Sequence, residues 1–158
     1  MKKRLQATEN EIDAVDMRLL RILHEDARTS IADLARDLSM SSPSVSERLR
    51  RLKESGVIRA FTIELDPKLL GYGLSFYIRI RPLPGQLQKV VSVIRAIEAI
   101  IECDRVTGDD CFIAKVHVSS TDELEKIINR LIPYSQTNTS LIQSSPVERR
   151  LSLLNEDV

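Results

Sequence analysis

Tryptophan is absent from this 158-residue chain, and phenylalanine and tyrosine contribute three residues each. With aromatics at 4% and apolar residues at 42%, any core has to be built from Ile, Leu and Val. Net charge is missing too, because 23 basic side chains balance 23 acidic ones. A uniformly basic, nucleic-acid-coating protein is thereby excluded, and a DNA-binding surface has to be local. No apolar run reaches the ~20 residues that a membrane helix needs, and none follows the basic Met1–Arg4 as a secretion signal would require. The expected location is the cytoplasm, with both thiols reduced. The two cysteines, Cys103 and Cys111, and the two histidines, His24 and His117, share no metal-ligand spacing, so neither metal nor cofactor is expected. The cysteines read as small core or interface residues and the histidines as structural or solvated ones.

The charge that is present is segregated. Residues 44–60 carry Arg48, Arg50, Arg51, Lys53 and Arg59 against Glu47 and Glu54, a net of +3. Residues 5–26 carry six acids against Arg18 and Arg21, a net of −4. Apolar periodicity places three helices around these segments. Residues 1–11 are polar and read as an arm. Asp13, with Asp16 three residues on, caps a first helix carrying Val15, Leu19, Ile22 and Leu23, and Ile12 and Met17 are spaced as a hydrophobic staple. Ser30, with Asp33, opens a second helix with Ile31, Leu34, Ala35 and Leu38 on its stripe. Ser39-Met40-Ser41 breaks it. A third helix starts at Ser41 or Ser42; Pro43 favours Ser42 as the cap, and Gly56 ends the helix. Val57–Ile63 reads as a short strand or wing.

From about residue 75 the period changes to two. Phe76, Ile78 and Ile80 alternate with polar neighbours as in a half-buried strand. A helix with Leu87, Val90, Val91 and Ile94 follows, then strands over 100–106 and 111–118 around a turn. Ser120 and Glu123 cap another helix that Pro133 stops, and residues 137–144 can form a last strand. Strand-helix-strand-strand-helix-strand is the ferredoxin-like pattern. The expected fold class is therefore α+β: an arm at 1–11, a winged helix-turn-helix at 12–64, a linker at 65–74, a ferredoxin-like βαββαβ domain at 75–147 and a tail at 148–158.

Three short helices with a tight break before the third are laid out as a helix-turn-helix. Winding the third helix at about 100° per residue gathers Val45, Leu49 and Leu52 on the core side. Pro43, Ser44, Glu47, Arg50 and Arg51 gather opposite, with Ser46 and Arg48 flanking. Arginine can fork onto guanine, glutamate can accept from cytosine N4, and serine suits bases or phosphate. The helix start, with Ser42, favours a nearby phosphate, and Arg28 and Ser30 are placed to grip the DNA backbone. An Arg-rich face is more often just a solvated one; it is the helical layout and the local positive charge together that favour DNA.

The segments Ile12-Asp13…Asp16…Leu20…Ile22-Leu23, Asp26-Ala27-Arg28-Thr29-Ser30…Asp33-Leu34-Ala35 and Leu38-Ser39-Met40-Ser41…Val45…Arg48-Leu49…Leu52…Gly56-Val57-Ile58 resemble the Lrp/AsnC family of feast/famine regulators. The resemblance continues through Leu65-Asp66-Pro67…Leu70-Gly71, Val106-Thr107-Gly108 and Thr137…Thr139, and so covers about residues 12–147. It implies a transcription regulator that binds double-stranded DNA and forms homodimers assembling further, commonly to octamers. It also implies an amino-acid effector held between subunits. Carried over, the effector site would comprise Thr107, Gly108, Asp109, Asp110 and Cys111 with Gln136, Thr137 and Thr139. A glycine-containing turn can offer N–H groups to a carboxylate and acceptors to an ammonium. The chain departs from the family at Cys111, where many members carry an acid. Two other functions use similar folds. One is an architectural protein that bends or wraps DNA with little effector response, which the departure at Cys111 favours. The other is a haem-pathway decarboxylase, which the scarcity of histidine and the Arg-rich third helix disfavour.

Overall fold

A computed structural model describes residues 12–147, so the arm expected over 1–11 and the tail expected over 148–158 lie outside the described residues. The chain divides into two compact units between Ile63 and Glu64.

Among the described residues, the first unit holds three helices. In α1 (Ala14–Glu25) the cap is Asp13, whose carboxylate accepts the Asp16 N–H at 2.8 Å while the Asp16 carboxylate accepts the Asp13 N–H. That reciprocal box satisfies two donors that a helix start otherwise leaves open. In α2 (Ile31–Asp37), Ser30 accepts the Asp33 N–H. In α3 (Ser42–Glu54) the cap is Ser41, whose hydroxyl accepts the Ser44 N–H. The expectation of Ser42 as cap is thus off by one residue. Pro43 is tolerated one position deeper because no N–H of the first turn has an intrahelical partner to lose. Ser39, between α2 and α3, takes φ +56°, a left-handed conformation usual for glycine. This compresses the turn so that the Met40 N–H reaches the Ala35 carbonyl at 2.8 Å. Leu19, Leu23, Leu34, Ala35, Leu38, Val45 and Leu52 are buried together, with Leu49 only half-buried beside them. No strand forms over 57–63. A strand needs a neighbouring edge for its N–H and C=O groups, and this stretch has none among the described residues. Its alternating Phe61 and Ile63 stay exposed.

The second unit is β1 (Leu74–Pro82), α4 (Leu87–Arg95), β2 (Ile100–Arg105), β3 (Phe112–Val118), α5 (Thr121–Leu131) and β4 (Ser135–Leu141). The strands form one antiparallel sheet in the order β2-β3-β1-β4. Phe76, Ile78 and Ile80 of β1 and Phe112, Ala114, Val116 and Val118 of β3 are buried with Val90, Ile94, Ile127 and Leu131 of the two helices. The alternate residues Tyr77, Arg79 and Arg81 face the other way and are exposed. The last strand starts two residues earlier than its apolar pattern suggests and ends at Leu141 instead of 144. Its start is set by Ser135, which is buried, pairs with Pro82 and donates its hydroxyl to the Leu131 carbonyl, so that the strand begins directly after α5.

Candidate nucleic-acid interface

The third helix presents the face that its sequence period implies. Val45 and Leu52 are buried, while Ser42, Ser44, Ser46, Glu47, Arg50 and Arg51 are exposed. The start of the helix is a small hydroxyl cluster, with Ser41 Oγ and Ser44 Oγ 2.7 Å apart. Arg28 and Ser30 lie exposed at the entry to α2. The Arg28 N–H donates to the Asp26 carboxylate, and the Ser30 hydroxyl donates to Asp33 at 2.6 Å, so Ser30 is occupied in holding its own helix start.

The three arginines of α3 are not equivalent, and helical winding alone does not distinguish them. Arg50 lies along its own helix, bonded to Glu47 one turn back and to Glu54 one turn ahead, the latter at 2.6 Å. Hydrogen bonds donated to Glu47 and Glu54 raise its already high pKa, and the same contact holds Glu47 below the usual carboxylate range. Arg48 and Arg51 instead reach across to the start of α1. Arg48 Nη1 donates to Asp13 Oδ2 at 2.6 Å and to Asp16 Oδ1 at 2.9 Å. Arg51 Nη2 donates to Asp16 Oδ2 at 2.5 Å. The Asp16 side chain is 1% exposed, Arg48 23% and Arg51 45%. An ionised carboxylate so deeply buried is tolerable only with opposed charge and donors on its oxygens, and the two guanidiniums and the Asp13 N–H supply them. Hydrogen bonds to Asp13 and Asp16 raise the Arg48 pKa. For Asp13 the largest influence, desolvation, works upward. The Asp16 N–H and the Arg48 guanidinium outweigh it together and hold the carboxyl below its ordinary value. Asp16 was legible in sequence only as the third residue of a capping box; its second task, facing α3, depends on how the helices pack.

In the second unit the turn between β2 and β3 is closed by the Val106 N–H on the Cys111 carbonyl at 2.9 Å, with Gly108 at φ +103°. A side chain is strained there, so glycine is the residue that lets this turn close. Thr107, Gly108 and Asp109 are exposed; Asp110 and Cys111 are half-buried, and Cys111 packs against the core. Gln136 stands opposite Arg81, whereas Thr137 and Thr139 stand opposite Ile80 and Ile78. Strand alternation therefore puts Gln136 on the open side of the sheet and both threonines on the helix side. The turn and the start of β4 share one end of the sheet, with the end of β1 between them. Arg81, which sequence reasoning took only as a polar alternate, joins the two. Its Nε donates to the Asp109 carbonyl at 2.9 Å, and its guanidinium lies 3.6 Å from the Asp109 carboxylate and 3.8 Å from that of Asp110. The only signal for Arg81 in sequence was an arginine at the end of the central strand's exposed face.

Residues 12–59 match a family model described as winged helix-turn-helix DNA-binding, and residues 75–152 one described as the Lrp/AsnC ligand binding domain. The chain is 33% identical over 134 residues to the HTH-type transcriptional regulator LrpC of Bacillus subtilis, covering 85% of this chain and 93% of LrpC. The solved structure of B. subtilis LrpC superposes with a TM-score of 0.83 at 32% identity, over 88% of this chain and 99% of that one. A feast or famine regulatory protein from M. tuberculosis, solved in complex with L-methionine, superposes with a TM-score of 0.84 at 27% identity, over 91% and 100%.

Proposed function

The chain belongs to the Lrp/AsnC family of transcriptional regulators, and on that premise we propose that it binds double-stranded DNA with sequence preference through α3. The observation that carries this reading is the exposed Ser-, Glu- and Arg-bearing face of α3, opposite Val45 and Leu52. Arg50 is the arginine freest to exchange its partners for DNA, because both its ion pairs are surface ones. Ser42, Ser44 and Ser46 line the helix start, where N–H groups and dipole favour a phosphate. Arg28, at the entry to α2, contacts the DNA backbone, while Ser30, bonded to Asp33, holds the start of that helix. Selection of duplexes from a random pool, followed by titration, tests this. A selected duplex binds more tightly than a scrambled one, and equal affinity for both refutes sequence preference.

The second unit holds subunits together and takes an amino acid or a related small molecule near residues 107–111 and 136–139, in a dimer that assembles further, to an octamer. The M. tuberculosis relative with bound L-methionine supports the ligand class. A second reading, an architectural protein with little effector response, is favoured by Arg81, whose single charge already lies beside both acids of the turn and offsets one of them. Calorimetry with the twenty amino acids decides between them: heat of binding with one or a few supports the sensor. No binding at millimolar concentration, with long phased footprints on DNA, supports the architectural protein.

A further inference from the structure

We propose that Asp16 is a positioning residue for DNA recognition: its buried carboxylate fixes Arg51 directly, and Arg48 as a strut, so that α3 meets DNA with one guanidinium already oriented. The inference rests on the reading of α3 as the DNA-reading helix and goes beyond it by assigning a role to a residue of α1.

The geometry distributes the work. Asp16 is buried, and both its oxygens accept guanidinium N–H groups from α3, Oδ1 from Arg48 and Oδ2 from Arg51. Arg48 spends one nitrogen on two carboxylates and is largely covered, so it braces α1 against α3. Arg51 uses Nη2 alone and keeps 45% exposure, so the rest of its fork stays presented to solvent. An arginine on an open helix face loses rotamer freedom when it binds; one held by a buried carboxylate has lost it already. The cluster Asp13, Asp16, Arg48 and Arg51 is also neutral as a set. Two of the three α3 arginines therefore add little to the sequence-independent pull of phosphate, and discrimination is not diluted by non-specific attraction.

The test uses the full chain and two probes, a duplex selected by the wild type from a random pool and a scrambled duplex of equal length, each titrated over a series of salt concentrations. Asp16→Asn keeps the shape but removes the charge that holds Arg51 and one of the two that hold Arg48. Expected are at least a tenfold fall in the ratio of selected to scrambled affinity, tighter binding of the scrambled duplex, and a steeper salt dependence by about one unit per freed arginine. Arg51→Lys keeps the charge but cannot present a planar fork; it lowers the ratio as well, and adding Asp16→Asn to it lowers the ratio no further. A folded Asp16→Asn variant, verified by circular dichroism at the assay temperature, with the wild-type ratio and salt slope overturns the proposal. If Asp16→Asn does not fold, an Arg51→Lys variant with the wild-type ratio overturns it instead. A wild type that prefers no duplex overturns the function itself, and this role with it.

Discussion

Three arginines lie within four positions of α3, and the fold gives each a different neighbourhood. Arg50 is exposed and held by surface pairs at one helical turn, an arrangement that solvent screens and that adds little to stability. Arg50→Ala is therefore expected to leave the denaturation midpoint near that of the wild type while weakening binding to a selected duplex by about 1–3 kcal/mol if it contacts a base. Arg51→Ala removes one of the two guanidiniums on a buried carboxylate. It is expected to cost about 1–3 kcal/mol of stability, the usual cost of leaving a buried polar group short of a partner, in addition to any loss of DNA affinity. Urea denaturation of both variants separates them, and an Arg51→Ala midpoint equal to wild type would show that the contact with α1 carries no stability. Helical winding put Arg51 opposite the core because it reports where a Cα–Cβ bond points. It cannot report that a long side chain bends back around its own helix to a buried partner.

At the scale of elements, the start of α3 offers a direct check of a one-residue shift. Ser41, not Ser42, accepts the first-turn N–H, so Ser41→Ala is expected to lower stability by about 1 kcal/mol and Ser42→Ala by much less. Thermal unfolding of the two variants compares them, and a larger loss at Ser42 would restore the cap that Pro43 suggested. The junction of α1 with α3 is also sensitive to acid. The folded Asp13 carboxyl titrates below its ordinary value of 3.8. Around and below that pH the unfolded chain binds more protons than the folded one. The stabilisation is therefore complete well above pH 3.8 and is lost as the pH falls through the lower folded value. Asp13→Asn should flatten the fall in the denaturation midpoint over that range; an unchanged acid profile would count against the Asp13–Arg48 contact. The short strand expected over 57–63 shows the limit of pattern at this scale. Alternation describes a face, but a strand exists only where another edge accepts its hydrogen bonds.

For the whole molecule, the second unit taken by itself sets the pattern: among its described residues α4 and α5 cover the sheet on one side only. Tyr77, Ile113 and His117 alternate with the buried residues of β1 and β3. Tyr77 is 44% exposed, and His117 shares a 2.7 Å hydrogen bond with Ser75 on the neighbouring strand. A sheet with one bare face is completed by a second layer, and a second copy of this chain is the layer proposed here. Light scattering of the full chain is expected to give a dimer or larger species, and Tyr77→Glu to shift it toward the monomer; a monomeric wild type at micromolar concentration would refute assembly through this face. The ion pairs on α3 also bear on the expected salt response. A dimer presenting two basic patches could neutralise roughly six to ten phosphates, but with Arg48 and Arg51 held by Asp13 and Asp16 the slope of log affinity against log salt should be shallower than that range implies.

The sequence by itself determined the three-helix and βαββαβ layouts, the buried stripes, the caps at Asp13 and Ser30, and the polar face of α3. Each of these follows from a local period or a local hydrogen bond, and periods of 3.6 and 2 are written along the chain. Only the tertiary structure decided which charges meet. Asp16 lies 32 residues from Arg48 and 35 from Arg51, and Arg81 lies 28 from Asp109, so no local rule joins them. Charge counting read the acidic first helix and the basic third helix as segregated. The packing of α1 beside α3 instead sets part of each against the other, because a buried carboxylate is stable only where packing delivers its counter-charges.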